Sequence, residues 1–77
     1  MARYFFNIID DQFLADDQGS ECASLDAARA LAIETAGAML RDAGRDLWDG
    51  TEWQMHVIGE DRRTLLKLRF LAEQVTP

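Results

Sequence analysis

The segment RYFFNIID, residues 3–10, decides the predicted fold, because its residues alternate as in a β-strand while both of its faces are largely apolar. The two faces consist of Tyr4, Phe6, Ile8 and of Phe5, Asn7, Ile9. A strand with one wet face would alternate more cleanly between apolar and polar residues. We therefore predict an interior strand whose second face is at least partly covered.

A short second strand and a long helix follow this segment. Turn residues at 10–11 precede a strand at 13–15, which completes a β-hairpin and is ended by the DDQG segment at 16–19. Ser24 is a good N-cap for an amphipathic helix predicted over 25–43. Its apolar side consists of Leu25, Ala28, Ala32, Ile33, Ala36, Met39, Leu40 and Ala43. Because half of these side chains are alanine, we expect the helix to lie close to the sheet.

The last part of the chain predicts a second β-hairpin. Alternation with a period of two covers residues 53–58 and again residues 64–71. A polar loop at 59–63 joins these two strands. The order of elements is therefore β-β-α-β-β.

This order predicts a single α+β domain over residues 1–77, with one helix packed on a four-stranded, mainly antiparallel sheet. The simplest arrangement sets the first and last strands side by side in the middle, which gives the strand order 2-1-4-3. In the connection at 46–51, Leu47 and Trp48 are expected to fold over one end of the core. Residues 72–77 are expected to form a frayed tail.

Length, charge and cysteine content exclude several classes of protein. The chain has 77 residues and a net charge of −6, so it holds one small core and is repelled by phosphate backbones. The single cysteine, Cys22, excludes an intramolecular disulfide and fits a reducing compartment. No apolar stretch has the length of a membrane span, and residues 1–3 lead directly into the first strand. We predict a cytoplasmic protein with neither a nucleic-acid nor a membrane partner.

No motif in the sequence requires a catalytic, metal or cofactor site. Cys22 and His56 are predicted on different elements without a third orienting residue, so we expect no nucleophilic dyad. The acidic residues of the first hairpin lack the spacing of a calcium loop; they are Asp10, Asp11, Asp16, Asp17 and Glu21. Glycine-rich phosphate loops and paired cysteines do not occur. We expect no catalysis, although pH sensing by His56 beside Lys67 and Arg69 is a further hypothesis.

Five short motifs, taken in order, resemble a family of small bacterial proteins known as a domain of unknown function. They are M-x-R-Y-F-F at 1–6, D-x-x-G at 16–19, L-x-A-A-R-A at 25–30, W-x-[IMV]-x-V at 53–57 and L-L-x-L-x-F at 65–70. In that family a glycine often precedes the basic residue of the second hairpin loop, where this chain has Arg62. The resemblance implies the β-β-α-β-β layout and brings no activity, substrate or site residue with it.

The sheet face that the helix does not cover is the most informative predicted surface. The residues expected to meet the helix are Tyr4, Phe6, Ile8, Trp53, Met55, Val57, Leu66, Leu68 and Phe70. The other face then consists of Phe5, Asn7, Ile9, Gln54, His56, Ile58, Leu65, Lys67 and Arg69. This mixture of large apolar, polar and basic groups is typical of a recognition patch. Coverage by the tails and by the stems of long basic side chains is an equally open alternative.

The leading hypothesis is a non-catalytic protein–protein interaction module that self-associates, as a homodimer, or that binds another protein. It uses the helix-free face or an edge strand, where an acidic first hairpin complements a basic cluster of Arg62, Arg63, Lys67 and Arg69. The alternative is a small-ligand-binding protein or enzyme component with a pocket between the helix and residues 46–51. A nucleic-acid binder that uses the second hairpin is a third hypothesis, which the net charge disfavours.

Overall fold

A computed structural model describes residues 1–10, 12–42 and 52–76 of the chain. Four features predicted from the sequence lie outside these residues. They are the turn residue Asp11, the helix end at Ala43, the connection at 46–51 with Leu47 and Trp48, and the end of the tail at Pro77.

One helix packs against an antiparallel sheet, which confirms the predicted α+β class and the β-β-α-β-β arrangement. The elements are, in chain order, β1 (Ala2–Ile9), β2 (Phe13–Leu14), β3 (Ser20–Cys22), α1 (Leu25–Asp42), β4 (Glu52–Ile58) and β5 (Thr64–Leu71). The strands run in the order β2-β1-β4-β5, and β3 also pairs with β1. All of these pairings are antiparallel.

The predicted strand order 2-1-4-3 is wrong. It sets the first strand beside the last one, which is β5, whereas β1 pairs with β4, the third of the predicted strands. The strand β4 buries Trp53, Met55 and Val57 and lies between β1 and β5. The last strand, β5, carries Lys67 and Arg69 and lies at the edge of the sheet, where charged side chains are tolerated. The prediction of an interior first strand holds, since β1 has strand neighbours on both sides.

Within the described residues the sheet has five strands rather than the predicted four, because residues 20–22, beyond the predicted second strand at 13–15, form the additional short strand β3. Phe13 and Leu14 pair with the end of β1, whereas β3 pairs with its beginning through Cys22 opposite Ala2. The strand β3 was not predicted, because three residues are too few to show an alternating pattern. Residues 15–19 lie between the two short strands and run beside the middle of β1.

The core lies between α1 and one face of the sheet. The helix begins after Ser24, whose hydroxyl oxygen accepts the backbone N–H of Ala27 at 3.1 Å, as expected of an N-cap. The buried hydrophobic residues of this core are Tyr4, Ile8, Cys22, Ala28, Ala32, Ala36, Trp53, Met55 and Val57. Leu25 and Ile33 were expected on the buried side of the helix but are exposed, and Leu31 packs against the core instead.

Candidate functional site

The open face of the sheet is built from rows of cross-strand neighbours, and the residues of one row share a face because antiparallel partners point the same way. The rows are Phe5–Ile58–Thr64, Asn7–His56–Lys67 and Phe13–Ile9–Gln54–Arg69. We call these residues the helix-free face. They include every residue predicted for the interaction face except Leu65, which lies beside the register shift opposite Val57 and Ile58 and is exposed.

The opposite set of residues packs towards α1. Its members from β1 and β4 are buried or half-buried, and Leu66 and Leu68 of β5 are half-buried against the core. Phe70 departs from the expectation, because 41% of it is exposed. The helix therefore covers β1 and β4 better than it covers β5.

The helix-free face carries large apolar side chains that α1 does not cover. Phe5, Ile9 and Ile58 are half-buried within the single chain. The guanidinium of Arg62 lies 5.6 Å from the centre of the Phe5 ring, and this contact covers part of the aromatic face. Phe13, which lies opposite Ile9, is 60% exposed. Phe13 is a residue of this face that was not predicted, although its position in the short second strand could have placed it there.

A cleft of about 420 Å³ opens at the end of the helix-free face nearest to residues 15–19. It is lined by Phe5, Asn7, Ala15, Asp16, Asp17, Ile58 and Arg62. The cleft therefore brings acidic groups from the first hairpin beside a basic group from the second hairpin.

Asp16 has a structural role in this cleft. Its carboxylate accepts the backbone N–H groups of Phe6 at 3.1 Å, of Gln18 at 3.1 Å and of Gly19 at 3.0 Å. The backbone N–H of Asp16 donates in turn to Oδ1 of Asn7 at 2.9 Å. Burial by itself raises the pKa of Asp16, but these hydrogen bonds and the charge of Arg3 outweigh it, so the pKa lies below the ordinary 3.8.

Gly19 completes the D-x-x-G motif for a reason of space and backbone angle. Its φ is +72°, in the left-handed region that glycine adopts without strain. A Cβ at this position would meet the carbonyl oxygen of Tyr4 at 2.8 Å and the ring of Phe5 at 2.9 Å. The motif therefore fastens residues 16–19 to β1 in the gap between β2 and β3.

Arg62 occupies a position in the β4–β5 loop that favours glycine. Its φ is +71°, and its backbone N–H donates to the carbonyl of Gly59 at 3.1 Å. The N–H of Gly59 donates to the carbonyl of Arg63 at 3.0 Å. The left-handed φ explains why the family resemblance implies a glycine here, and it leaves Arg62 in a strained conformation beside Phe5.

A chain of polar side chains runs along β4 on the helix-free face. The amide nitrogen of Gln54 donates to the carboxylate of Glu52, and its amide oxygen accepts Nε2–H of His56 at 2.9 Å. Burial lowers the pKa of His56, and the positive charges of Lys67 and Arg69 lower it further. Among the described residues, Lys67 and Arg69 take part in none of the ion pairs. Within the described ranges, this side of the helix-free face is therefore basic.

Cys22 and His56 are the residues whose side chains could serve as nucleophile and base, and the structure places them apart. Cys22 pairs with Ala2 on the helix side of the sheet and is buried, whereas His56 lies on the helix-free face. The two side chains therefore do not form a dyad. Across the described ranges, no group of three or more His, Cys, Asp or Glu side chains is placed to hold a metal ion.

These features define a class of small α+β proteins in which one helix covers one face of an antiparallel sheet and leaves the other face open. The model of a family described as "Domain of unknown function (DUF6894)" matches residues 3–71, so the chain belongs to this family. Comparison with curated proteins gives no match, and neither does comparison with solved structures. In the part of the chain that the structure describes, no helix combines the length and apolar character needed to cross a membrane.

Proposed function

We propose that this protein is a non-catalytic protein–protein interaction module of the bacterial cytoplasm, which self-associates as a symmetric dimer through the helix-free face. The observation that supports this proposal is the group of apolar side chains on that face, Phe5, Ile9, Phe13 and Ile58, which α1 does not cover. Contact with the same face of a second copy would remove these side chains from water.

The distribution of charge makes the helix-free face complementary to itself. Lys67 and Arg69 lie at its β5 side, and Asp16 and Asp17 lie at its β2 side. A two-fold axis that runs along the strands, between β1 and β4, lays the basic side of each copy over the acidic side of the other. Lys67 then faces Asp17 of the second copy, and the potentials at both ends of the interface are complementary.

The same rotation keeps each residue at its own level along the strands. Phe5 then meets Ile58 of the second copy, and Asn7 meets His56, so that apolar groups face apolar groups and polar groups face polar groups. A two-fold axis across the strands would instead lay β5 over β5. That arrangement would bring the cations Lys67 and Arg69 of both copies together, and like-charge repulsion disfavours it.

Two other hypotheses have less support. The alternative of a small-ligand pocket between the helix and residues 46–51 lies outside the described residues. Nucleic-acid binding through the second hairpin conflicts with the net charge of −6, which repels phosphate. The proposal therefore includes no nucleic-acid partner.

Sedimentation equilibrium tests the proposed dimer. Phe5→Ser and Ile9→Ser each remove an apolar contact from the interface, and each is expected to raise the dimer dissociation constant roughly tenfold. Ile33→Ser is the matched control, because Ile33 is an aliphatic residue that is 56% exposed on α1, away from the helix-free face. A wild-type chain that stays monomeric at high micromolar concentration would contradict the proposal.

A charge exchange tests the orientation of the two copies. Lys67→Glu alone and Asp17→Lys alone are each expected to weaken the dimer by like-charge repulsion. The double variant is expected to recover the wild-type dissociation constant, because it restores opposite charges across the interface. A double variant that is weaker than both single variants would show that Lys67 and Asp17 do not face each other.

A further inference from the structure

The strand β5 forms one edge of the sheet over eight residues, Thr64–Leu71. Its inner side pairs with β4, and among the described elements no strand pairs with its outer side. Apart from the register shift near Thr64, its pairing with β4 is uninterrupted. A long, continuous edge of this kind presents a row of backbone N–H and C=O groups to which another strand can add.

On the helix side of this edge lies an apolar groove between α1 and β5. The groove has a volume of about 270 Å³ and is lined by Ile33, Ala36, Gly37, Leu40, Trp53, Leu68, Arg69 and Phe70. Ile33 and Phe70 are 56% and 41% exposed. Among the described residues, nothing lies within 4 Å of the position that a Cβ of Gly37 would occupy, so these residues leave the groove open above the helix backbone. An apolar side chain from an added strand would fill it.

On the other side of the same edge, the exposed side chains include two cations, Lys67 and Arg69, together with the exposed Leu71. Lys67 and Arg69 alternate with Leu66, Leu68 and Phe70 along β5, as the pleat of a strand requires. The two cations take part in none of the ion pairs among the described residues. An added strand therefore meets positive charge on one face and an apolar groove on the other.

We infer that the outer edge of β5 binds an extended segment of another protein, in which acidic side chains alternate with apolar ones. The segment adds a strand to the sheet through backbone hydrogen bonds. Its acidic side chains lie beside Lys67 and Arg69, and its apolar side chains enter the groove beside Phe70. Backbone pairing supplies affinity without regard to sequence, and the alternation of acidic and apolar groups supplies specificity.

A second copy of β5 does not fit this edge. In a symmetric antiparallel pair, a register centred on Lys67 or on Arg69 places that cation opposite its own copy. A register centred on Leu68 places Lys67 opposite Arg69. Like charges that lie directly opposite are destabilising, so the registers with the greatest overlap are disfavoured. The charge pattern selects an acidic partner over a copy of this strand.

Fluorescence anisotropy with labelled synthetic peptides tests the inference on the full chain. The probe is a peptide as long as β5 in which glutamate alternates with valine, and the control peptide has lysine in place of glutamate. We expect saturable binding of the glutamate peptide, weakened roughly tenfold by Phe70→Ser and by the double variant Lys67→Gln, Arg69→Gln. The matched controls are Leu14→Ser, at an exposed apolar residue on the opposite edge, and Arg29→Gln, at an exposed arginine of α1. Both controls are expected to bind as the wild type does.

Backbone methylation of the probe shows whether it binds as a strand. One peptide is N-methylated at its glutamates and a second at its valines, so each lacks the N–H donors of one edge. One of the two is expected to lose binding and the other to keep it. The inference would be overturned if both methylated peptides kept their binding, or if the lysine peptide bound as well as the glutamate peptide. Equal effects of Phe70→Ser and Leu14→Ser on the affinity would also overturn it. The inference does not depend on the proposed dimer, and binding is expected to persist in the Phe5→Ser variant.

Discussion

The two edges of the sheet differ in how far their unpaired backbone N–H and C=O groups remain available to another strand. At the first edge, β2 and β3 are short, and the carboxylate of Asp16 binds the N–H of Phe6 in the gap between them. At the second edge, β5 continues over eight residues and carries Lys67 and Arg69. Short and interrupted edge strands give an incoming strand little to pair with, whereas a continuous edge strand accepts one. One edge of this sheet is therefore covered by the side chain of Asp16, and the other, as far as the described residues show, carries charged side chains along an unpaired strand.

Gly19→Ala is expected to have the largest effect on the closed edge. The new Cβ would meet the carbonyl oxygen of Tyr4 and the ring of Phe5, and the residue would keep a left-handed φ. Backbone strain and overpacking together predict a loss of about 3 kcal/mol in the free energy of unfolding. Urea denaturation measures it. The matched control is Gly37→Ala in α1, where a Cβ meets no neighbour and helix propensity predicts a gain of about 1 kcal/mol. Equal effects of the two substitutions would contradict the role of Gly19 in closing this edge.

Asp16→Asn is expected to have the next largest effect. It should lower the free energy of unfolding by about 2 kcal/mol at neutral pH, because charge-assisted hydrogen bonds from three backbone N–H groups are weakened. The pKa of Asp16 is lowered by folding, so its stabilisation is present above pH 3.8 and is lost as the pH falls through the folded-state value. The difference in the free energy of unfolding between variant and wild type should therefore become smaller on acidification below pH 3.8. Urea titrations across this range measure it, with the exposed Asp17→Asn as control. A difference that stays constant with pH would contradict the assignment.

The smallest change in the free energy of unfolding is expected for substitutions of Arg62, in the loop that precedes β5. Arg62→Gly relieves the left-handed backbone, whereas Arg62→Ala keeps the strain, and both lose the contact with the Phe5 ring. The glycine variant should therefore be more stable than the alanine variant by about 1 kcal/mol. Thermal and urea denaturation compare them directly. Equal stability would show that the backbone at residue 62 is not strained.

The element types could be predicted from the sequence because each carries a clear local pattern. The helix over residues 25–42 has an N-cap at Ser24 and regular apolar spacing, and apolar and basic residues alternate in β5 over residues 66–70. The strand β3 could not be predicted, because its pairing with the start of β1 depends on the fold of residues 16–19, which are non-local partners of β1.

The order of the strands was mispredicted because β4 and β5 were both candidates for the position beside β1. Apolar alternation occurs in both β4 and β5, and it does not say which of them is interior. The basic residues Lys67 and Arg69 were the signal that β5 lies at an edge. Residues of the helix-free face followed from alternation once each strand was identified, but Phe13 was missed because β2 has only two residues. The cleft beside Asp16 depends on a loop conformation that alternation does not describe.

The contact between α1 and the sheet repeats itself along the helix axis. Ala28, Ala32 and Ala36 are spaced by four residues, about one helical turn, and each presents the same methyl group to the strands. Sliding the helix by one turn would replace two of these three methyl groups with identical ones and would bring Ser24 or Leu40 to the third place, so the middle of the helix contributes little to fixing its longitudinal position. That position is set by what differs at the two ends, namely the cap at Ser24 and the bulkier Met39 and Leu40.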